Sequence, residues 1–377
     1  MLVYLGVCAV LAFVGSVAAL FLAVPPAPTF HIAFAAGALP LIFGAIIHFV
    51  PVLTRTGTPA RVIHSLPLAV QLAGIATPLA LGGLMPYWTL HPAASLVSVA
   101  AVMLALWTRR RLRATLGAPH PSARWYGAAL LCLFFAVSLV PVWLALPELR
   151  SALRLFHLHL NTLGFIGLAA LGTLPVLLPT ALRQPDPAAA ARLRGDLLPA
   201  VAGALLVAAG AAGAFWLTVP GTSLLGWVVV RDLAAWWRTY RMKVSAGGTA
   251  PLVVATGGFL LLLFAGLAHG AGWMAARPAL AAYVALFLLP LVTGALAQLL
   301  PVWRHPGPDS AARQAMQRIL VGGARWRAAL FLAAGLLFLF DAPLAWLPAA
   351  LALGGFVLRL GAALYNSRQT QSPLPLP

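Results

Sequence analysis

Nine histidines stand in a chain that is otherwise poor in groups able to do chemistry. Imidazole is neutral near physiological pH, and its unprotonated nitrogen is a common ligand for haem iron, copper and zinc. Carboxylates number six, Glu148, Asp186, Asp196, Asp232, Asp309 and Asp341, too few for a proton relay built from many acids. The two cysteines, Cys8 and Cys132, form no CxxC or CxxCH motif, so no thiolate metal site, covalently held haem or disulfide framework is expected. No Walker loop, GxSxG, HExxH or dinucleotide fingerprint occurs. What chemistry the chain has must rest on histidine.

The histidines sort by depth. His157 and His159 lie, with Asn161, at one end of the apolar stretch LFHLHLNTLGFIGLAALGTLPVLLPT (155–180). His31, His91 and His269 fall at the same end of their own apolar stretches, whereas His48, His64, His120 and His305 fall at the other. His64, His120 and His305 neighbour arginine-rich loops and read as solvated. His31 and His48 are about 25 Å apart along a helix and cannot share a site. His157 and His159, about 200° apart around a helix, are expected to face different neighbours. A lone histidine at a helix end has a bland reading beside lipid headgroups. Five in one layer favour a site, because polar groups within a membrane are costly. His31, His159 and His269 are the candidate cofactor ligands, and His157, His159, His91 and His48 the candidate metal ligands.

The elements that must position them are membrane helices. The chain is 62% hydrophobic and only 8% charged, where a soluble domain carries roughly 25% charged residues. Apolar runs near the length of a bilayer crossing recur at about 2–23, 30–54, 63–85, 91–108, 125–146, 155–181, 197–219, 222–240, 251–274, 279–303, 326–340 and 343–366. The net charge of +18 does not point to nucleic acid, because of where the charge sits. Nineteen basic residues fall on the side that follows the even-numbered runs, against three, Arg150, Arg154 and Arg277, on the other. This is the positive-inside pattern. It predicts a multi-pass protein of a bacterial inner (cytoplasmic) membrane with both termini cytoplasmic. The lipid bilayer is the expected partner.

The runs repeat. PLIFGAIIHFVPV (40–52) and PLVTGALAQLLPV (290–302) match in register at Pro, Leu, Gly, Ala, Pro and Val. A weaker third copy places Gly172 and Pro179 as Gly44 and Pro51 or Gly294 and Pro301 are placed. Thirteen residues before each glycine stand His31, His159 and Ala281. The expected fold is an all-α polytopic membrane protein of about twelve transmembrane helices. The 1–377 chain forms one integral membrane domain with three pseudo-threefold repeats of four helices, approximately 1–124, 125–250 and 251–377. Gly44, Gly172 and Gly294 are expected at close helix contacts.

HIAFAAGALPLIFGAIIHFVPVLTRTGTP (31–59) resembles the second helix of haem–copper oxidase subunit I, where a histidine ligand of the low-spin haem precedes proline, glycine and Val-Pro. HLHLNTLGFIGLAALG (157–172) looks like helices of small oxidase-subunit-like membrane proteins, and the size is similar to the NnrS family of the nitric-oxide response. The resemblance implies b-type haem or copper, with His31 as the residue matching the ligand. It implies electron transfer, nitric-oxide handling or metal-centre maturation, beside respiratory or denitrification membrane subunits. It does not carry oxygen reduction: the tenth run (YVALFLLPLVTGALAQLLPVW) and the seventh lack the histidines of the binuclear centre. Two alternatives are a metal-ion or small-solute transporter or channel, and a cofactor-free structural subunit of a respiratory complex.

Overall fold

The computed structural model describes residues 1–241, 243, 247–274 and 277–369. Every extended element among them is helical. In order these are α1 (Leu2–Phe21), α2 (Pro26–Thr54), α3 (Arg61–Leu81), α4 (Leu90–Ala114), α5 (Ser122–Ala145), α6 (Pro147–Ala181) and α7 (Ala189–Ala212). Then come α8 (Thr218–Tyr240), α9 (Ala250–Gly270), α10 (Ala279–Arg304), α11 (Ala311–Val321), α12 (Ala324–Leu339) and α13 (Trp346–Gln369). Among the described residues, eleven stretches are long and apolar enough to cross a membrane. Large apolar side chains such as Leu11, Leu72, Leu198 and Leu358 are exposed all around the bundle. In water such a surface would drive association, whereas in lipid it is the proper solvent-facing surface. The fold is that of an all-α polytopic membrane protein.

Three helices form its centre. The apolar windows of α2, α6 and α10 are 67%, 89% and 78% buried, against 33–50% for the other spans. Each carries a glycine against the helix that precedes it in sequence. A Cβ on Gly44 would meet Leu5 of α1 at 2.6 Å, one on Gly172 would meet Trp125 of α5 at 2.5 Å, and one on Gly294 would meet Leu252 of α9 at 2.9 Å. Small residues at these points let the backbones approach, which in lipid is the main source of helix association.

Each of the three central helices also widens into a π-helical segment, at Ile32–Ala38, Leu160–Gly167 and Val284–Leu288. The segments abut: the Tyr283 ring lies edge-on to Phe34, 5.8 Å away, and its hydroxyl donates to the Thr162 carbonyl at 2.7 Å. A π turn leaves backbone carbonyls without their usual helical donors. Thr162 finds Tyr283, and Ala36 finds the Gln71 amide of α3 at 2.7 Å. Glycines of the surrounding helices press on the same segments: Gly74 of α3 against the Ala35 carbonyl, and Gly258 of α9 and Gly335 of α12 against Leu286.

Three elements depart from the sequence expectation. The seventh helix was expected at 197–219 and runs over Ala189–Ala212. Its first turns carry Arg192 and Asp196, which pair with α8 and so need not be excluded from a helix, and Gly213 at φ 155 ends it. α8 contains Arg231, Asp232 and Arg238 and is not among the eleven apolar stretches. The basic loop 304–327 holds an extra helix, α11, opened by the Ser310 hydroxyl accepting from the Arg313 amide at 3.3 Å.

Candidate functional site: an imidazole layer at one end of the bundle

The π segments position the histidines. His31 is the last residue before the first π turn and His159 the last before the second. Their rings do the same thing: His31 Nδ1 meets the Ala27 carbonyl at 2.7 Å, and His159 Nδ1 meets the Leu155 carbonyl at 2.8 Å, each four residues back. The third π segment is preceded by Tyr283, and Ala281, the residue in register with the two histidines, is buried.

Two further imidazoles join the layer. His157 Nδ1 reaches across to the Ala136 carbonyl of α5 at 2.8 Å, and its ring stands edge-on to Trp143, 5.1 Å between centroids. His269 Nδ1 meets the Met274 carbonyl at 2.9 Å. A carbonyl only accepts, so in all four rings Nδ1 carries the proton and donates. Nε2 is then the lone-pair nitrogen, and no hydrogen bond engages it among the described residues. This is how ligating histidines are commonly held: one nitrogen fixes tautomer and orientation, and the other is presented to a metal.

Charge couples the four in two pairs: that of His31 bears on His157, and that of His269 bears on His159. His157 and His159, two residues apart in sequence but on different faces of α6, thus join different pairs. Arg154 acts on both members of the first pair. The other candidates stand apart. His91 is exposed at the start of α4. His48 is at the opposite end of α2, its ring edge-on to Trp303 of α10 at 5.9 Å. Among the described residues no group of three or more His, Cys, Asp or Glu could hold a metal ion. The layer therefore holds no three-ligand centre built from described side chains alone.

A second polar cluster lies between α7 and α8. Arg192 donates to Asp186 at 2.6 Å and to Asp232 at 3.3 Å, and Arg231 donates to Asp196 at 2.6 Å. Asp196 and Asp232 are both buried. Arg231 and Asp232 pair with other partners and not with each other. Reading also passed over Gln71 and Tyr283, although a carboxamide and a phenol inside apolar runs were a visible sign of carbonyls in need of donors.

Fold and layer together define the class: an all-α, multi-pass membrane protein with imidazoles of α2, α6 and α9 held by backbone carbonyls at one end. No family model matches the chain, and no curated protein matches it.

Proposed function

We propose that the chain is a haem- or copper-binding integral membrane protein, acting in electron transfer, nitric-oxide handling or metal-centre maturation without oxygen reduction. The observation that supports this reading is the shared state of His31, His157, His159 and His269: each donates Nδ1–H to a backbone carbonyl and keeps Nε2 available. His31 and His157 are the haem pair. Arg154 beside them disfavours a bare cation and suits a ligand that carries carboxylates, as b-type haem does. His159 and His269 are the pair open to copper. When bound, such a group supplies one-electron chemistry. The chain holds the imidazoles in one tautomer, fixes their orientation through the carbonyls, and surrounds them with apolar helices.

Support for the setting comes from the sequence. The oxidase-like motif places a histidine at residue 31, and the asymmetry of arginine favours a bacterial inner membrane with cytoplasmic termini. We read the three glycine contacts and three π segments as traces of a threefold repeat. The test is paired loss in purified protein. His31→Ala and His157→Ala remove one bound group, His159→Ala and His269→Ala remove another, and His48→Ala removes neither. Folded variants that all retain haem and copper at the wild-type level would sink the reading.

A further inference from the structure

At the arginine-rich end, α12 opens at Ala324 after Gly322 and Gly323, and Gly323 is left-handed at φ 67. The first amides of a helix have no intrahelical acceptor and point outward, a ready anion site when something else brings an anion there. Arg327 lies in the next turn. It is only 4% exposed, and its Nε and Nη2 have no hydrogen-bond partner. Helical side chains lean toward the N-terminus, so Arg327 leans toward the Gly322–Gly323 opening. Its guanidinium stands 4.8 Å from the centroid of the Phe356 ring on α13.

Arg359, one turn beyond Phe356, borders the same opening. A Cβ on Gly322 would meet its guanidinium, and one on Gly323 would meet its Nη2 at 3.1 Å. The two guanidiniums are near enough for their charges to oppose. No ion pair among the described residues involves either one, and Asp186, Asp196, Asp232 and Asp309 are taken by other arginines. A buried guanidinium with two orphan donors, facing a second guanidinium and a helix N-terminus, is not a state that a bare chain favours.

We propose that Arg327, Arg359 and the N-terminus of α12 form a binding site for an anionic phosphate group. The shared chemistry is a phosphate oxygen accepting from guanidinium and amide donors. Its source is the headgroup of an anionic phospholipid or free phosphate. Trp326, 78% exposed on the rim, is the kind of side chain that sits at headgroup level.

The experiment is thermal unfolding of the full chain in neutral detergent. Inorganic phosphate, phosphatidylglycerol or phosphatidylcholine is titrated in, because a ligand of the native state raises the midpoint. Wild type rises with phosphate or with phosphatidylglycerol. A rise with phosphate identifies a free-anion site, and a rise with phosphatidylglycerol alone identifies a lipid site. Arg359→Gln weakens the apparent affinity at least tenfold, and Arg325→Gln, an exposed neighbour, changes it less than twofold. Arg327→Met abolishes the response and, without anion, melts no lower than wild type, since an unpaired charge has been removed. Should Arg359→Gln fail to fold, Arg359→Lys must show the same loss in weaker form. No rise with either anion, an equal rise with phosphatidylcholine, or an unchanged rise in the Arg327 and Arg359 variants overturns the proposal.

Discussion

At the scale of residues, what separates the histidines is the use made of Nδ1. In the layer it donates, whereas in His120 it accepts from the Ser122 amide at 3.3 Å. His120 lies outside the spans, where burial first and the charge of Arg194 second hold its pKa below the usual imidazole value. The unfolded chain takes up a proton at about pH 6.5, while the folded chain resists until lower pH. Stability is therefore full above that value and declines as pH falls through it toward the folded pKa. Acidification from pH 7.5 to 5.5 should lower the thermal midpoint. His120→Asn, which keeps an acceptor near the Nδ1 position, should show a smaller drop, and an equal drop would contradict the assignment. Equal spacing from Gly44 and Gly172 made His31 and His159 legible as counterparts. The hold on His157 was not legible, because it depends on a carbonyl of α5, 21 residues away in sequence.

At the scale of elements, close approach and buried charge decide the packing. Gly74 leaves no room for a methyl group against the Ala35 carbonyl, which belongs to backbone and cannot swing aside. Gly74→Ala should destabilise by about 1–3 kcal/mol, the usual cost of overpacking. Gly226→Ala, where the nearest atom is at 3.7 Å, should be near neutral, and equal effects in a detergent melt would refute the contact. Arg192 separates Asp186 from Asp232. Its replacement by leucine should cost about 3–5 kcal/mol, since it strands two buried carboxylates. Adding Asp232→Leu should restore part of that, and strictly additive losses would show no coupling. Apolar runs announced most of these helices, but the start of α7 was hidden because its charges are satisfied only by α8. The π segments were hidden for a different reason: a widened turn changes no composition, and only its stray carbonyls mark it.

At the scale of the whole molecule, the claims are orientation and ligation. Thr115→Cys, in the loop after α4, should resist a membrane-impermeant thiol reagent in intact cells and react after lysis. Labelling in intact cells would reverse the topology. The histidine layer would then face the cytoplasm, but its geometry would be unchanged. Ligation carries the functional reading, and one measurement reaches it most directly: the visible absorption spectrum of purified wild-type protein, with copper content measured on the same sample, set beside His31→Ala and His91→Ala. The layer predicts a Soret band in wild type, its loss in folded His31→Ala, and its retention in His91→Ala. Wild type with neither a Soret band nor copper, or His31→Ala with an unchanged spectrum, would contradict it.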